Sequence, residues 1–155
     1  MNILFETNTP KIEGEIADYI LNRDGILISY SKPVKRTVQN ITENVALVKK
    51  ITENKKFPLL IYLCNSPIPD KATRIFSAQQ IHAVDTAMAM IYKPGLANLI
   101  MKMAFTLQPP PVPIRFFPNE AEAWNWYCHL QRMLTNKKFY FSLRPSQLCV
   151  PHFLP

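Results

Sequence analysis

Glycine is scarce in this sequence: Gly14, Gly25 and Gly95 stand against fourteen prolines. Because each glycine stands alone, neither a dinucleotide-binding fingerprint nor a phosphate-binding P-loop can be written with them. Cysteine is equally sparse. Cys64, Cys128 and Cys149 are an odd set without CxxC spacing, which indicates neither a zinc site nor a disulfide framework. The three histidines are scattered, and no carboxylates cluster at ligand spacing, so neither a metal nor another cofactor is expected. Long hydrophobic runs are missing too. The longest candidate, Thr86 to Phe105, is broken by Tyr92-Lys93-Pro94-Gly95 and by Lys102, which is too interrupted for a membrane span. The opening stretch MNILFETNTPKIEGE lacks a basic segment ahead of a long apolar one. No signal peptide is therefore expected, and the cytoplasm is the expected compartment.

What the sequence does hold is apolar mass. Hydrophobic residues make up 48% of 155, enough for one domain with a real core. Lys and Arg number 18 against 11 Asp and Glu, a net charge of +7. The basic residues fall in small separate groups: Lys32, Lys35 and Arg36; Lys49 and Lys50; Lys55 and Lys56; Lys137 and Lys138. No aromatics are interleaved with them as a strand-binding platform requires, so they read as solvated faces and turns, and nucleic acid is not an expected partner.

Residues 1–13 show turn formers without a period and read as a loosely docked lead-in. Glu15–Leu21 and Gly25–Ser31 read as an antiparallel hairpin, turned at Asn22-Arg23-Asp24-Gly25 because Asp-Gly supplies positive φ. Thr37 suits an N-cap, and Val38, Ile41, Val45, Val48 and Thr52, with Ile51 beside them, form the apolar stripe of a first helix. Asn54 suits its left-handed stop. Phe57–Cys64 is a continuous apolar run, the pattern of a strand covered on both faces. Asn65–Pro69 must be loop, after which Asp70 can cap a second helix with Ala72, Ile75, Phe76 and Gln79 inward. Ala83–Tyr92 reads as another buried strand, with Asp85 placed before its fully buried part. A third helix carries Leu96, Leu99, Ile100, Met103 and Leu107. Ile114–Phe117 is a short strand. Asn119 with Glu122 opens the last helix, whose stripe is Ala123, Trp126, Tyr127, Leu130 and Leu134, with Trp126 the more buried tryptophan and Trp124 the more exposed. The expected domain is 14–134, followed by an apolar, proline-containing tail at 135–155. The order ββαβαβαβα predicts an α/β fold with a mixed, mainly parallel sheet covered by helices. Its default binding edge is the set of loops at the strands' carboxyl ends: Asn65–Pro69, Lys93–Gly95 and Pro118.

That order, with the stretches DYILNRDGILIS, FPLLIYLCNSPIPDKATRIFSAQQ, AMAMIYKPG and PVPIRFFPNEAEAWNWYCHL, resembles the sulfate-transporter/anti-sigma-factor-antagonist (STAS, SpoIIAA-like) domain. It is closer still to a bacterial subgroup of uncharacterised STAS/SEC14-type proteins, and the resemblance covers about residues 15–132. It implies a non-catalytic regulatory module that binds other proteins. In that family a Ser or Thr opening the helix after the central strand, often preceded by Asp, is phosphorylated by a partner kinase. Phosphate at a helix N-terminus is a strong electrostatic switch. Here the matching stretch is Pro69-Asp70-Lys71-Ala72-Thr73. Asp70 fits the acid, but the hydroxyl position falls nearest Ala72; Thr73 comes one residue late, and Ser66 lies earlier in the loop. The candidate regulatory or binding loop is therefore Asn65, Ser66, Asp70, Thr73 and Arg74.

No catalytic residues are expected. Cys64 and His82 are the one tempting nucleophile pair, yet Cys64 sits in an apolar run, and Cys128 and His129 diverge on one helix. The third helix is apolar nearly all round, which fits burial under the tail, a homodimer contact, or a lipid- or ligand-contacting face. Leu96, Met101 and Phe105 are the candidate interface. The expected function is protein–protein binding, with a protein partner or a second copy of the chain. The alternative is a carrier or sensor of a small apolar or lipid-like ligand, seated between the sheet and the third helix.

Overall fold

The computed structural model of the protein describes residues 10–96 and 112–138. The third predicted helix beyond Leu96, including Met101 and Phe105, and the tail beyond 138 lie outside the described residues. Six strands form one mixed sheet in sequential order: β1 (Ile12–Glu13), β2 (Ala17–Leu21), β3 (Leu27–Ser31), β4 (Phe57–Tyr62), β5 (Asp85–Ile91) and β6 (Ile114–Phe117). The first two pairings are antiparallel and the last three parallel, giving the predicted α/β class. Three helices are described: α1 (Val38–Ile51), α2 (Lys71–Val84) and α3 (Glu120–Lys138). The end of the lead-in takes part in the fold, because Ile12 and Glu13 pair with Tyr19 and Asp18.

Local chemistry accounts for the element ends. Gly25 sits at φ 72° in the hairpin turn, where Asn22 Oδ1 accepts the amides of Asp24 and Ile26 at 3.1 and 2.8 Å. Side chains beyond Cα are disfavoured at such angles. Thr37 and Asn40 cap α1 reciprocally, the Asn40 amide donating to Thr37 Oγ1 and the Thr37 amide to Asn40 Oδ1. Asn54 is left-handed at φ 60°, as expected, but Glu53 before it is left-handed too. Asp70 caps α2, and Asn119 Oδ1 accepts the amide of Glu122 at the start of α3.

Both faces of the sheet are covered. The steps β3–α1–β4 and β4–α2–β5 move across the sheet in one direction, so right-handed crossovers put α1 and α2 on the same face. There Val48, Ile81 and Val84 pack on Leu27, Leu59, Met88 and Met90. On the other face Ala123 and Tyr127 of α3 pack on Ile28, Leu60, Ala89, Ile91 and Phe117. Buried rows on both sides explain the unbroken apolar runs of β4 and β5.

Several expected placements are corrected. Val38 is 46% exposed, being the first residue past the cap and off the stripe that Ile41 and Val48 bury. On α2 the inward row is Thr73, Ile81 and Val84, while Ala72, Ile75 and Gln79 face outward. Ala83 and Val84 belong to α2, so β5 starts at Asp85 and Asp85 is buried. Tyr127 and Ala123 are the deeply buried residues of α3, whereas Trp126 is half-buried, tilted against Phe117 and Tyr127. Leu96, expected at an interface, is buried in the core on the α1–α2 side of the sheet.

Candidate functional site

The face that α1 and α2 cover does not close completely. Between it and the two helices lies a partly open chamber of about 240 Å³. Its floor is built by residues of four neighbouring strands: Ala17 and Tyr19, Ser29 and Ser31, Leu59 and Ile61, then Asp85, Met88 and Met90, with a register shift after Asp85. The roof comes from Ile41, Val45 and Val48 of α1 and Ala78, Ile81 and Val84 of α2. Cys64, Ser66, Ile68 and Pro69 border it where β4 ends, so the expected binding loop does adjoin a cavity. The sequence-based alternative put a pocket against the third helix; among the described residues the chamber is under the first two. The carboxyl edge of the sheet also carries a shallow groove, where Tyr30 and Tyr62 stack 4.7 Å apart beside Lys93, Pro94 and Pro118.

The walls are mostly hydrocarbon, with few polar groups. Tyr19 is 4% exposed and donates its hydroxyl to Asn44 Oδ1 at 2.9 Å, and burial raises its pKa. Arg36 leaves the β3–α1 connection and turns inward. Its Nη1 donates to the carbonyls of Lys32 and Val34 at 2.8 and 2.7 Å, and its Nη2 to that of Ile16 at 3.2 Å. Burial lowers its pKa, but a guanidinium keeps its charge throughout the ordinary pH range. Among the described residues no carboxylate pairs with it.

Asp85 lies toward the other end, where β5 begins. It is 3% exposed, its Oδ1 has no hydrogen-bond partner, and burial pushes its pKa up to about 8. The carboxyl is therefore neutral at pH 7 and adds no negative charge to the chamber.

The residues of the predicted loop separate. Asn65 is exposed and Ser66 is half-buried at the chamber's border. Asp70 Oδ1 accepts the Thr73 amide at 2.8 Å and Oδ2 the Thr73 hydroxyl at 2.9 Å, which together hold its carboxyl below the usual range. Thr73 is only 4% exposed, and its hydroxyl is committed to Asp70. Arg74 lines the chamber and donates to the Pro69 carbonyl at 2.6 Å.

The basic group read as solvated also divides. Lys32 forms a 2.6 Å ion pair with Asp18 and donates to the Gly14 carbonyl at 2.7 Å, while Arg36 faces the chamber. Sequence reading missed Tyr19, Arg36 and Asn44.

Among the described residues no group of His, Cys, Asp and Glu could hold a metal ion, and no helix is long and apolar enough to cross a membrane. Among the described residues Cys64 and Cys128 form no disulfide. No curated protein and no solved structure matches the chain. One family model does, over residues 19–131, and its description is a domain of unknown function, DUF7793. The match begins at Tyr19 on the chamber floor, spans α1, α2 and the strands between them, and ends in α3. On this match over most of its length, the chain belongs to the DUF7793 family.

Proposed function

We propose that this protein is a non-catalytic binding module and that the chamber between the sheet and α1–α2 takes a small, mainly apolar ligand. The observation that carries the reading is the chamber itself. Well-packed interiors leave few voids larger than a water molecule, and dry apolar cavities of about 150 Å³ already hold a benzene ring. A space of about 240 Å³ walled by Leu59, Ile61, Met88 and Met90 is larger than a packed interior ordinarily leaves and suits a ligand. The methionines add adaptable walls. Its few polar groups converge from separate elements, as in small-molecule sites. No histidine lines it, and its one thiol, Cys64, has no imidazole beside it there, which favours binding over nucleophilic catalysis.

The test is native mass spectrometry of the full chain purified from its own host, beside Ala78→Phe, which fills the roof. A co-purifying small molecule on the wild type that Ala78→Phe loses, with its folding intact, is the expected result. Bare protein that also binds no added hydrophobic ligand would overturn the reading. A second reading, STAS-like protein recognition, is favoured by Ile68 and Ile75, which are 38% and 44% exposed on either side of Asp70. A bound protein chain in the same spectra would support that one instead.

A further inference from the structure

We propose that the ligand of this chamber is a small amphipathic carboxylate, its head held by Arg36 and its hydrocarbon body lying between the sheet and the two helices. The inference rests on the chamber being a ligand site and goes on to name the ligand's chemistry.

The argument is one of charge and donor counting. A guanidinium has five N–H donors. Three hydrogen bonds leave Arg36, all to backbone carbonyls, so two donors have no acceptor among the described residues. Three neutral carbonyls orient the group but do not neutralise it. Arg36 is half-buried, and a charge partly withdrawn from water gains from a paired anion.

Asp85 is the one carboxylate in the chamber wall, and it cannot serve. It stands at the opposite end of β5 from the edge where Arg36 emerges, and its burial keeps it protonated. The cavity therefore carries the positive charge of Arg36, with that of Arg74 also in its lining, in mostly apolar surroundings, which favours an anion with a hydrocarbon body. A planar carboxylate matches the remaining donors of a fixed guanidinium better than a spherical ion does. The volume admits a ligand on the order of ten non-hydrogen atoms, judged from the benzene-sized cavity. Asp85, with one oxygen unpartnered and a proton to donate, gives the far end one polar contact without rejecting an apolar tail.

Octanoate and 1-octanol share a chain and differ at the head, so calorimetric titration of both into the full chain at pH 7 isolates the inference. Octanoate is expected to bind at least about tenfold tighter, the scale of one charge-assisted hydrogen bond. Arg36→Gln should bring octanoate affinity down to about that of 1-octanol, and Arg36→Lys should restore part of the difference. If Arg36→Gln does not fold, the wild-type comparison and Arg36→Lys decide. Equal affinity for the two ligands would overturn the carboxylate assignment and leave the chamber as an apolar site, and an octanoate preference that survives Arg36→Gln would overturn Arg36 as the head's partner in favour of Arg74, which also lines the chamber. Binding of neither would overturn the chamber reading, and this one with it.

Discussion

At the scale of single residues, two buried side chains set the terms of this fold. Tyr127 reaches from α3 into the sheet, where its hydroxyl accepts the Ala89 amide at 2.8 Å and donates to the Leu59 carbonyl. It thus bridges β4 and β5 at their most buried point. Tyr127→Phe strands an amide and a carbonyl, and should cost about 1–2 kcal/mol by denaturant titration. No loss would mean that the two strands close on each other directly. Asp85 acts through pH. Its carboxyl titrates near 3.8 when unfolded and is pushed up to about 8 when folded. Between those values the folded chain holds a proton that the unfolded chain has released, so stability falls as pH rises from about 4 to about 8. The slope is at most about 1.4 kcal/mol per pH unit. Asp85→Asn should flatten this fall, leaving the variant more stable than wild type at pH 8 and within about 1 kcal/mol of it at pH 4. Parallel melting curves across that range would show that Asp85 ionises normally.

At the scale of elements, what was legible in the sequence was whatever has a local cause. The hairpin follows from Asp24-Gly25, α1 from Thr37 with its stripe, and the caps of α2 and α3 from Asp70 and Asn119. The parallel pairing of β4 with β5 followed from two apolar runs joined by a helix. The inward face of α2 was not legible. Apolar periodicity selects Ala72, Ile75 and Gln79, but the sheet buries Thr73 and Ile81 and leaves Ser77 and Gln80 on the chamber wall. A helix over a cavity need not present hydrocarbon at every inward position, so its pattern weakens where a ligand would sit. Arg36 was hidden for a different reason. In sequence it is one cation of a basic turn, and only the folded carbonyls of Ile16, Lys32 and Val34 turn it inward. Asp85 was misplaced by a shorter error: α2 runs two residues further than its apolar pattern implied, which moves the acid from a strand's approach to its buried start.

At the scale of the whole molecule, stability should be graded across the sheet. The centre, β3 to β5, is paired on both sides and covered on both faces. The β1 edge is two exposed residues long, too short to hold itself by ladder bonds. It is tied down electrostatically, for Asp18 receives Lys11 at 2.7 Å and Lys32 at 2.6 Å, and Lys32 also holds the Gly14 carbonyl. Hydrogen bonds from these two lysines hold the Asp18 carboxyl below its ordinary value. A depressed carboxyl stabilises the fold above its unfolded pKa, and that contribution is lost as pH falls through the folded one. Asp18 and Asp85 therefore act in opposite directions, Asp18 failing in acid and Asp85 weakening the fold toward alkaline pH. Since opening free energies differ across a structure, loss of the Asp18 anchor should release the edge before the core. Hydrogen exchange on Asp18→Asn at pH 7 should show faster exchange in residues 10–16, with β4 and β5 amides protected as in wild type. Exchange rising equally in β5 would show that Asp18 supports the whole sheet, and unchanged exchange at the edge would show that backbone pairing alone secures β1.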